Sequence, residues 1–405
     1  MDENRMLAPG IAGLQVNALR EILKVVNRPG MISLAGGIPA PESFPLPIVA
    51  ELTQRVLSRY GAAALQYDAT EGFGPLREAL TGYLAGIGIG IHTATDKILI
   101  ASGSQGVLDA IGKVLIGRGD GIAVEAPTYL GALQAFNPYG PRYVCLDTDE
   151  QGVLPDFLER VLAESRIKFI YLVPTFQNPT GRTINMERRM RIAEALKRHD
   201  ALLIEDDPYS ELRYAGSRLP SIKTLAPRHV VYVGTFSKIL APGLRVGFCV
   251  APEAVRRWLV IAKQGVDLHT GTFSQALAAE YLSGGHLERQ LPRIRDLYRP
   301  KLQAMLRSLA KYLPAGFTWS KPEGGMFVWV EGPRGMDTSD FYEAAIEKKT
   351  AFVPGKYFYP FPNRGLETMR LNFTMATVEN IDRAVKTIAE SAQSVLSFEN
   401  AGFGS

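Results

Sequence analysis

The residues best suited to chemistry lie in the segment GTFSKILAPGLRVG, residues 234–247. Lys238 follows the small hydroxyl residues Thr235 and Ser237, and Arg245 lies seven positions further along. A lysine whose pKa is lowered by burial or by neighbouring cations can form a Schiff base with an aldehyde cofactor. The hydroxyl groups and the guanidinium can hold the phosphate of that cofactor. A lone Ser-Lys pair is more often a surface feature, so this prediction depends on the rest of the chain.

Polar segments follow several of the predicted strands, at the position where open α/β sheets bind their ligands. These segments are 101–106 (ASGSQG), 178–181 (NPTG), 205–209 (EDDPY) and 235–238 (TFSK). Four polar loops at one edge of one sheet are poorly explained by chance. We therefore expect them to form a single site.

Two of these segments, together with EAPTYLG at 125–131, contain groups that suit a flat, phosphorylated pyridine. Asp206 can pair with a protonated ring nitrogen, and Tyr209 and Asn178 can donate to a phenolate oxygen. Tyr129, in EAPTYLG, can stack on the ring. Taken singly, the aspartate has a more ordinary interpretation as a turn cap and the tyrosine as a core residue.

Two further groups are suited to anions. The amides of Ser104 and Gln105, at the start of a predicted helix, can bind a phosphate, although a plain helix cap is the commoner meaning. Arg370, in MRLNF, can bind a carboxylate in a bidentate manner, and a surface ion pair is the alternative. The chain has no Walker A segment, no GxGxxG and no GxSxG elbow. Its five histidines show no metal-ligand spacing, so no metal site is expected.

The elements that must position these residues alternate along the chain. Seven short apolar segments are predicted as strands: 98–101, 121–126, 142–147, 168–173, 201–205, 230–234 and 246–250. Amphipathic stretches such as 104–116 and 186–199 lie between them. This alternation predicts an α/β fold with a mostly parallel sheet covered by helices.

The chain divides into three predicted regions. A long helix at 286–313 would connect a large domain to a smaller α/β domain, which has strand-like runs at 326–330 and 369–373. An amphipathic helix is predicted at 13–27. The regions are 1–45 (N-terminal helix and linker, packing with the small domain), 46–285 (large domain) and 286–405 (small domain with the connecting helix).

Composition excludes several classes of protein. The 405 residues are 46% hydrophobic and 21% charged with a net charge of +4, which is ordinary for a globular protein, and there is no basic stripe for nucleic acid. The two cysteines, Cys145 and Cys249, lie in apolar runs and cannot form a disulfide framework. No run of 18 or more apolar residues and no secretory signal pattern is present. We therefore expect a cytoplasmic protein without membrane or nucleic-acid partners.

Because of these residues and the motifs around them, the chain resembles the fold type I pyridoxal-phosphate aminotransferases of class I/II. It is similar in particular to the kynurenine/2-aminoadipate branch, which includes the bacterial lysine-biosynthesis enzymes. The resemblance extends from about residue 13 to residue 390. It rests on ISLAGGIPAPESFP, LQYDATEGFGPLREAL, SGSQGVLD, EAPTYLGALQAF, PTFQNPTG, EDDPYSEL, GTFSKILAPGLRVGF, AKQGVDLHT, GGMFVW and MRLNF, in this order.

The resemblance implies a large domain built on a seven-stranded sheet, pyridoxal 5'-phosphate as cofactor and a role for each site residue. Lys238 would form the Schiff base, with Asp206 on the pyridine nitrogen and Tyr209 and Asn178 on the ring oxygen. Tyr129 would stack on the ring. The implied phosphate ligands are Ser104, Gln105, Thr235, Ser237 and Arg245, and the implied substrate-binding residues are Arg370, Asn178, Gly37 and Arg20.

The resemblance also implies a homodimer with shared active sites, because Tyr67 in QYDATEG is similar to a tyrosine that reaches the neighbouring subunit's phosphate. Gly106 departs from the pattern, since many relatives have glutamine there. Arg20 matches an arginine that contacts acidic substrate side chains, and a solvated surface arginine is the alternative.

The implied reaction is a ping-pong transamination. Its expected substrates are an L-amino acid (2-aminoadipate, glutamate, aromatic or aliphatic) and a 2-oxo acid such as 2-oxoglutarate. A C–S lyase or a decarboxylase on the same scaffold remains an alternative, because the motifs do not show how the substrate's bonds lie relative to the ring. A transcriptional regulator with an aminotransferase-like domain is a further alternative, for which we find no room ahead of residue 13.

Overall fold

The computed structural model describes residues 6–7, 28–90 and 96–402. The predicted helix at 13–27 and Arg20 lie outside the described residues. The strands, in chain order, are β1 (Ile32–Ser33), β2 (Asp96–Ser102), β3 (Gly121–Glu125), β4 (Arg142–Leu146), β5 (Thr148–Asp149), β6 (Gly152–Val153), β7 (Ile167–Leu172), β8 (Leu203–Asp206), β9 (Val230–Thr235), β10 (Val246–Pro252), β11 (Thr318–Trp319), β12 (Phe327–Glu331), β13 (Thr350–Ala351), β14 (Val353–Pro354) and β15 (Thr368–Asn372).

The α-helices between these strands range from one turn to seven. In chain order they are α1 (Leu46–Tyr60), α2 (Gly74–Gly86), α3 (Gly103–Leu115), α4 (Leu130–Phe136), α5 (Pro155–Glu164), α6 (Met186–Arg198), α7 (Ile222–Leu225), α8 (Glu253–Asp267), α9 (Thr272–Ser283), α10 (His286–Tyr312), α11 (Tyr342–Glu347) and α12 (Val378–Gly402).

The large sheet contains seven strands in the order β2-β10-β9-β8-β7-β3-β4. Strand β10 runs antiparallel to both of its neighbours, and the other pairs are parallel. All seven predicted strands are confirmed, with ends that agree to within two residues. The predicted helices at 104–116 and 186–199 correspond to α3 and α6. The prediction of a mostly parallel, helix-covered sheet is therefore confirmed.

The central strands are buried on both faces, which is why they read as nearly continuous apolar runs. Tyr171 and Ile204 belong to the hydrophobic core on one face, whereas Ile170 and Leu203, one residue earlier on each strand, belong to the core on the other. This alternation with a period of two residues fixes the register of each strand. It also determines the face of the sheet on which each side chain at the carboxyl ends of the strands lies.

A smaller antiparallel sheet has the order β11-β12-β15-β14. The strand-like runs predicted at 326–330 and 369–373 correspond to β12 and β15, and the predicted long helix corresponds to α10. Strand β1 pairs with β13, which joins the N-terminal linker to the C-terminal part of the chain. The division into three regions stays a prediction.

The Gly- and Pro-rich linker passes along the small sheet toward the polar edge of the large one. The Asn372 amide donates to Leu34 O at 2.7 Å, and the Ala40 amide donates to the Tyr298 hydroxyl at 3.0 Å. These two anchors fix the linker's path, so that its carbonyl groups become part of the site. Among the residues that the structure describes, no helix is both long and apolar enough to cross a membrane.

Candidate active site

Lys238 lies in the tight turn that follows β9. Phe236 and Leu240, on either side of it, are buried and hold this turn against the sheet. The lysine Nζ donates to Gly37 O of the linker at 2.8 Å. Burial, followed by the positive charges of Arg370 and Arg245, lowers the pKa of Lys238 from 10.5 to about 8. A substantial fraction of the amine is therefore neutral near physiological pH, as a nucleophile or base requires.

Asp206 is the last residue of β8, and its side chain is 2% exposed. One carboxylate oxygen, Oδ2, accepts a hydrogen bond from the Tyr171 hydroxyl at 2.7 Å. The other, Oδ1, is buried without a hydrogen-bond partner among the described residues. Burial raises the pKa of this carboxyl to about 7. A buried acceptor of this kind calls for a donor that the described residues do not supply.

Tyr209, Asn178 and Arg370 form one connected polar group at the same edge. Asn178 Nδ2 donates to the Tyr209 hydroxyl at 3.4 Å, and Arg370 donates to Asn178 Oδ1 at 2.9 Å. Each of the three is at most 5% exposed. The structure thus brings together residues from the loops after β7 and β8 and from the middle of β15, which the sequence separates widely.

The Arg370 guanidinium is fixed by aromatic rings as well as by hydrogen bonds. It lies 4.3 Å from the ring centre of Phe327 and 4.9 Å from that of Phe358, and it donates to Ala35 O at 2.6 Å. Its Nε has no partner among the residues with described side chains. Burial lowers the pKa of Arg370 to about 10, so the group stays cationic at neutral pH. An oriented cation with a free donor suits a carboxylate ligand.

A cradle of backbone groups forms where β10 meets the N-terminus of α3. A Cβ at Gly247 would lie 2.3 Å from the Gly103 carbonyl carbon and 2.4 Å from the Ser104 nitrogen, so only glycine permits this approach. Gly103 has a φ of +75° and lies against the Arg245 guanidinium. A helix N-terminus beside an exposed arginine is a natural anion site.

The predicted phosphate ligands differ in whether their side chains already form hydrogen bonds elsewhere in the protein. The Thr235 hydroxyl lies 3.0 Å from the Ser237 hydroxyl, and Arg245 donates to Ser102 O at 3.2 Å, so these three residues cluster at the cradle. Gln105 occupies the first turn of α3, but its side-chain amide donates to Gly131 O at 2.7 Å. Its contribution to an anion site would therefore come from the backbone amide.

Tyr129 and Gly37 border the space between these groups. Tyr129 precedes α4, and burial raises the pKa of its hydroxyl to about 12, with Asp206, Arg370 and Arg245 close enough to influence it. Gly37 contributes its carbonyl to Lys238, and a Cβ there would lie 3.2 Å from the Phe327 ring. Both residues therefore belong to the site that the sequence predicted.

Tyr67 does not join this group within the chain. It is 76% exposed, and its ring makes an edge-to-face contact with His269 at 5.6 Å. This placement is compatible with the expected contact to a second subunit. Arg20, the last of the predicted site residues, lies outside the part of the chain that the structure describes.

Sequence reasoning missed three residues that shape the site: Tyr171, Phe327 and Phe358. The signal for Tyr171 was a tyrosine inside the buried run KFIYLV, since a buried hydroxyl needs a partner. The two phenylalanines gave no such signal, because packing around Arg370 depends on how β12 and the turn after β14 meet β15.

The chain was compared with known proteins. Residues 29–388 match the family model described as aminotransferase class I and II. The chain is 46% identical to aromatic-amino-acid aminotransferase 1 of Thermococcus litoralis, over 96% of this chain and 95% of that protein. It is 42% identical to the 2-aminoadipate transaminase of Thermus thermophilus, over 96% of each chain.

A solved structure agrees closely with the fold. The kynurenine aminotransferase of Pyrococcus horikoshii, crystallised in complex with PMP, has a TM-score of 0.94 and 44% identity, and the match covers 98% of both chains. The similarity extends over nearly the whole chain.

Proposed function

This chain belongs to the aminotransferase class I and II family, and we propose that it transfers an amino group between an L-amino acid and 2-oxoglutarate by a ping-pong mechanism. The proposed donors are 2-aminoadipate, glutamate and aromatic or aliphatic amino acids. This range is supported by relatives that are named for aromatic amino acids, 2-aminoadipate and kynurenine. In the two half-reactions, the first product leaves before the second substrate binds.

The chain's cofactor is pyridoxal 5'-phosphate, the cofactor of its family. When bound, this cofactor supplies an aldehyde that takes up the amino group and a ring that accepts electrons from the substrate's α-carbon. The residues fit it, because Asp206 Oδ1 is a buried acceptor without a partner in the described part of the chain, suited to a protonated ring nitrogen. We assign Asp206 to that nitrogen, Tyr209 and Asn178 to the ring oxygen, and Tyr129 to the ring face.

The phosphate would be held at the cradle between β10 and α3. The proposed ligands are the backbone amides of Ser104 and Gln105, the hydroxyls of Thr235 and Ser237, and the guanidinium of Arg245. The support for this set is physical: the helix N-terminus provides oriented N–H groups, and Gly103 and Gly247 let the backbone approach closely.

Lys238 would perform two tasks. Its amine would hold the cofactor covalently, and it would also move the proton of the substrate's α-carbon. A pKa of about 8 supports the second task, since the amine can both accept and release a proton near neutral pH. Arg370 would bind the substrate's α-carboxylate through its free Nε and orient the α-carbon toward Lys238, and the Gly37 carbonyl and Asn178 would border the same position.

Two further proposals concern the surroundings of the site. Tyr67 would reach the phosphate of a second subunit, so that the working unit is a homodimer, which its exposure of 76% allows. Arg20 would contact the acidic side chain of glutamate or 2-aminoadipate. If so, Arg20→Ala would reduce the rates with these two donors and leave the rates with apolar donors unchanged. If the variant used glutamate and 2-aminoadipate as fast as the wild type does, Arg20 would not have this role.

One observation supports the proposed function most strongly. The unpartnered oxygen of Asp206, the lowered pKa of Lys238 and the free Nε of Arg370 occur together at one edge of the sheet. The direct test is a panel of amino donors assayed for 2-oxo acid formation with 2-oxoglutarate as acceptor. Lys238→Ala should lower turnover by about 10³-fold or more, whereas Lys197→Ala, on the exposed face of α6, should leave it unchanged. Near-normal turnover in Lys238→Ala would overturn the proposal.

A further inference from the structure

We propose that Tyr171 is a positioning residue: its hydroxyl holds one oxygen of Asp206 so that the other faces the cofactor's ring nitrogen. This inference rests on the proposed function, because it assigns the free oxygen of Asp206 to the cofactor. Tyr171 would act only through Asp206, since its hydroxyl is already committed to that carboxylate at 2.7 Å.

The register of the sheet brings the two side chains together. Strands β7 and β8 are parallel neighbours, with Tyr171 opposite Ile204 and Leu172 opposite Glu205. Residues two apart on a strand share a face, so Asp206 lies on the same face as Ile204 and diagonally across from Tyr171. The hydrogen bond is therefore a consequence of the strand pairing and does not depend on a flexible loop.

The tyrosine ring cannot move away from this position. Tyr171 is 0% exposed, and its ring makes an edge-to-face contact with Phe136 at 5.9 Å. Phe136 packs in turn edge-to-face on Phe169, two residues before Tyr171 on the same strand. A hydroxyl held by such packing is pre-organised, so the carboxylate loses little freedom when the cofactor arrives.

The hydrogen bond from Tyr171 also changes the pKa of Asp206. Burial and the neighbouring charge of Asp207 raise the pKa of Asp206, and the hydrogen bond from the Tyr171 hydroxyl lowers it; the net result is a pKa of about 7. Burial also raises the pKa of Tyr171 well above its ordinary value, so the hydroxyl keeps its proton and remains a donor. Asp206 and Arg370 are each near enough to Tyr129 to affect the pKa of its hydroxyl. Tyr171 is the hydrogen-bond donor that Asp206 has among the described residues.

The chain contains a matched control, a second tyrosine–aspartate hydrogen bond that involves Tyr232 of β9 and Asp207, the residue after Asp206. The Tyr232 hydroxyl donates to Asp207 Oδ2 at 2.9 Å, again between a strand tyrosine and the adjacent aspartate. Tyr232 belongs to the hydrophobic core on the opposite face of the sheet from Tyr171. Removing either hydroxyl therefore deletes one tyrosine–aspartate hydrogen bond, buried for Tyr171 and partly buried for Tyr232, but only the Tyr171 bond involves the carboxylate assigned to the cofactor.

The test compares Tyr171→Phe with Tyr232→Phe in the full-length protein. Three quantities are measured: the dissociation constant for pyridoxal phosphate by absorbance titration of the cofactor-free protein, kcat, and KM for the amino donor. For Tyr171→Phe we expect cofactor binding to weaken and kcat to fall, each by about tenfold, because a hydrogen bond to a charged group is lost. KM for the amino donor should stay within about twofold, since Arg370 is untouched. Tyr232→Phe should change none of the three.

A double-mutant cycle with Asp206→Asn completes the test. If Tyr171 acts through Asp206, adding Tyr171→Phe to Asp206→Asn should cause little further loss of cofactor affinity. Wild-type cofactor affinity and kcat in Tyr171→Phe would overturn the inference, as would equal losses in Tyr232→Phe or fully additive losses in the double variant. Failure of the wild-type protein to bind pyridoxal phosphate or to transaminate would instead refute the proposed function.

Discussion

Lys238 combines a buried amine with two guanidinium groups nearby, and both factors lower its pKa. Because its pKa in the folded protein is about 8, against an ordinary value of 10.5, the neutral amine becomes the major form about two to three pH units earlier than on an exposed lysine. Covalent capture of an aldehyde requires the neutral form. The pH dependence of cofactor capture therefore reports directly on the environment of this residue.

We expect the rate at which the cofactor-free protein captures pyridoxal phosphate to rise with pH and to level off above a midpoint near 8. Stopped-flow absorbance across this range measures that rate, with Lys197→Ala as a control that should follow the wild type. A rate that does not change between about pH 7 and pH 9, or that keeps rising to the range of an ordinary lysine, would contradict the assignment.

Arg370 recognises the substrate, in this account, by geometry as well as by charge. Arg370→Lys keeps the positive charge but loses the planar fork, the contacts to Phe327 and Phe358, and the free Nε. We expect kcat/KM for the amino donor to fall by about ten- to a hundredfold, because lysine cannot bind a carboxylate bidentately. Steady-state kinetics measure this loss.

The matched change is Arg198→Lys, at the exposed end of α6, which should leave kcat/KM unchanged. Cofactor absorbance should also remain normal in Arg370→Lys, since the residue is assigned to substrate and not to the cofactor. A substitution that lowered cofactor affinity and left kcat/KM per bound cofactor intact would reverse that assignment.

Among the elements, the strands of the large sheet were predictable, because each is a short apolar run bounded by polar loops. The site at their carboxyl ends followed from the same rule, and the structure brings Lys238, Asp206, Asn178 and Tyr209 to one edge. The partner of Asp206 was not predictable. Its identity depends on the register between β7 and β8, and a single sequence does not state which residues of two strands lie opposite each other.

The small sheet was predictable only in part. Strands β12 and β15 have five residues each, whereas β11 and β14 have two residues each and carry no periodic signal. The sequence predicted only that residues 1–45 contain a linker that packs with the small domain. That its carbonyls at Ala35 and Gly37 would accept from Arg370 and Lys238 depends on long-range packing.

The close contact between β10 and α3 can be tested by substituting Gly247. Gly247→Ala would place a methyl group 2.3 Å from the Gly103 carbonyl carbon, so the strand and the helix N-terminus must separate. We expect weaker binding of pyridoxal phosphate and a lower Tm, because the phosphate cradle is displaced. Absorbance titration and thermal unfolding measure the two effects.

Gly243→Ala is the matched control, because a methyl group there would meet no atom within 4 Å. It should leave both cofactor affinity and Tm close to the wild-type values. If Gly247→Ala lowered Tm without weakening cofactor binding, the close approach would be structural only, and the cradle would not be the phosphate site.

For the molecule as a whole, the proposed unit is a homodimer in which Tyr67 completes the partner's site. The apolar exposure around it supports this arrangement, with Leu65 at 72%, Tyr67 at 76% and Leu268 at 56% exposed. If each site needs a residue from a second copy of the chain, two variants that are inactive because of different residues should restore activity when they form a mixed dimer.

Tyr67→Ala and Lys238→Ala should each be poorly active alone. After mixing, unfolding and refolding together, mixed dimers should regain activity, because one of their two sites combines Tyr67 from one subunit with Lys238 from the other. Refolding each variant alone is the control. Activity no greater than the sum of the two separate samples would contradict a shared site.

The central claim is that the Lys238 amine of this chain carries pyridoxal phosphate. Borohydride reduction of the loaded protein, followed by proteolysis and mass spectrometry, tests it most directly, since reduction makes the linkage permanent. We predict a single pyridoxyl phosphate group on the peptide that contains Lys238 and none in Lys238→Ala. A colourless protein with no adduct, or an adduct on a different lysine, would contradict the account.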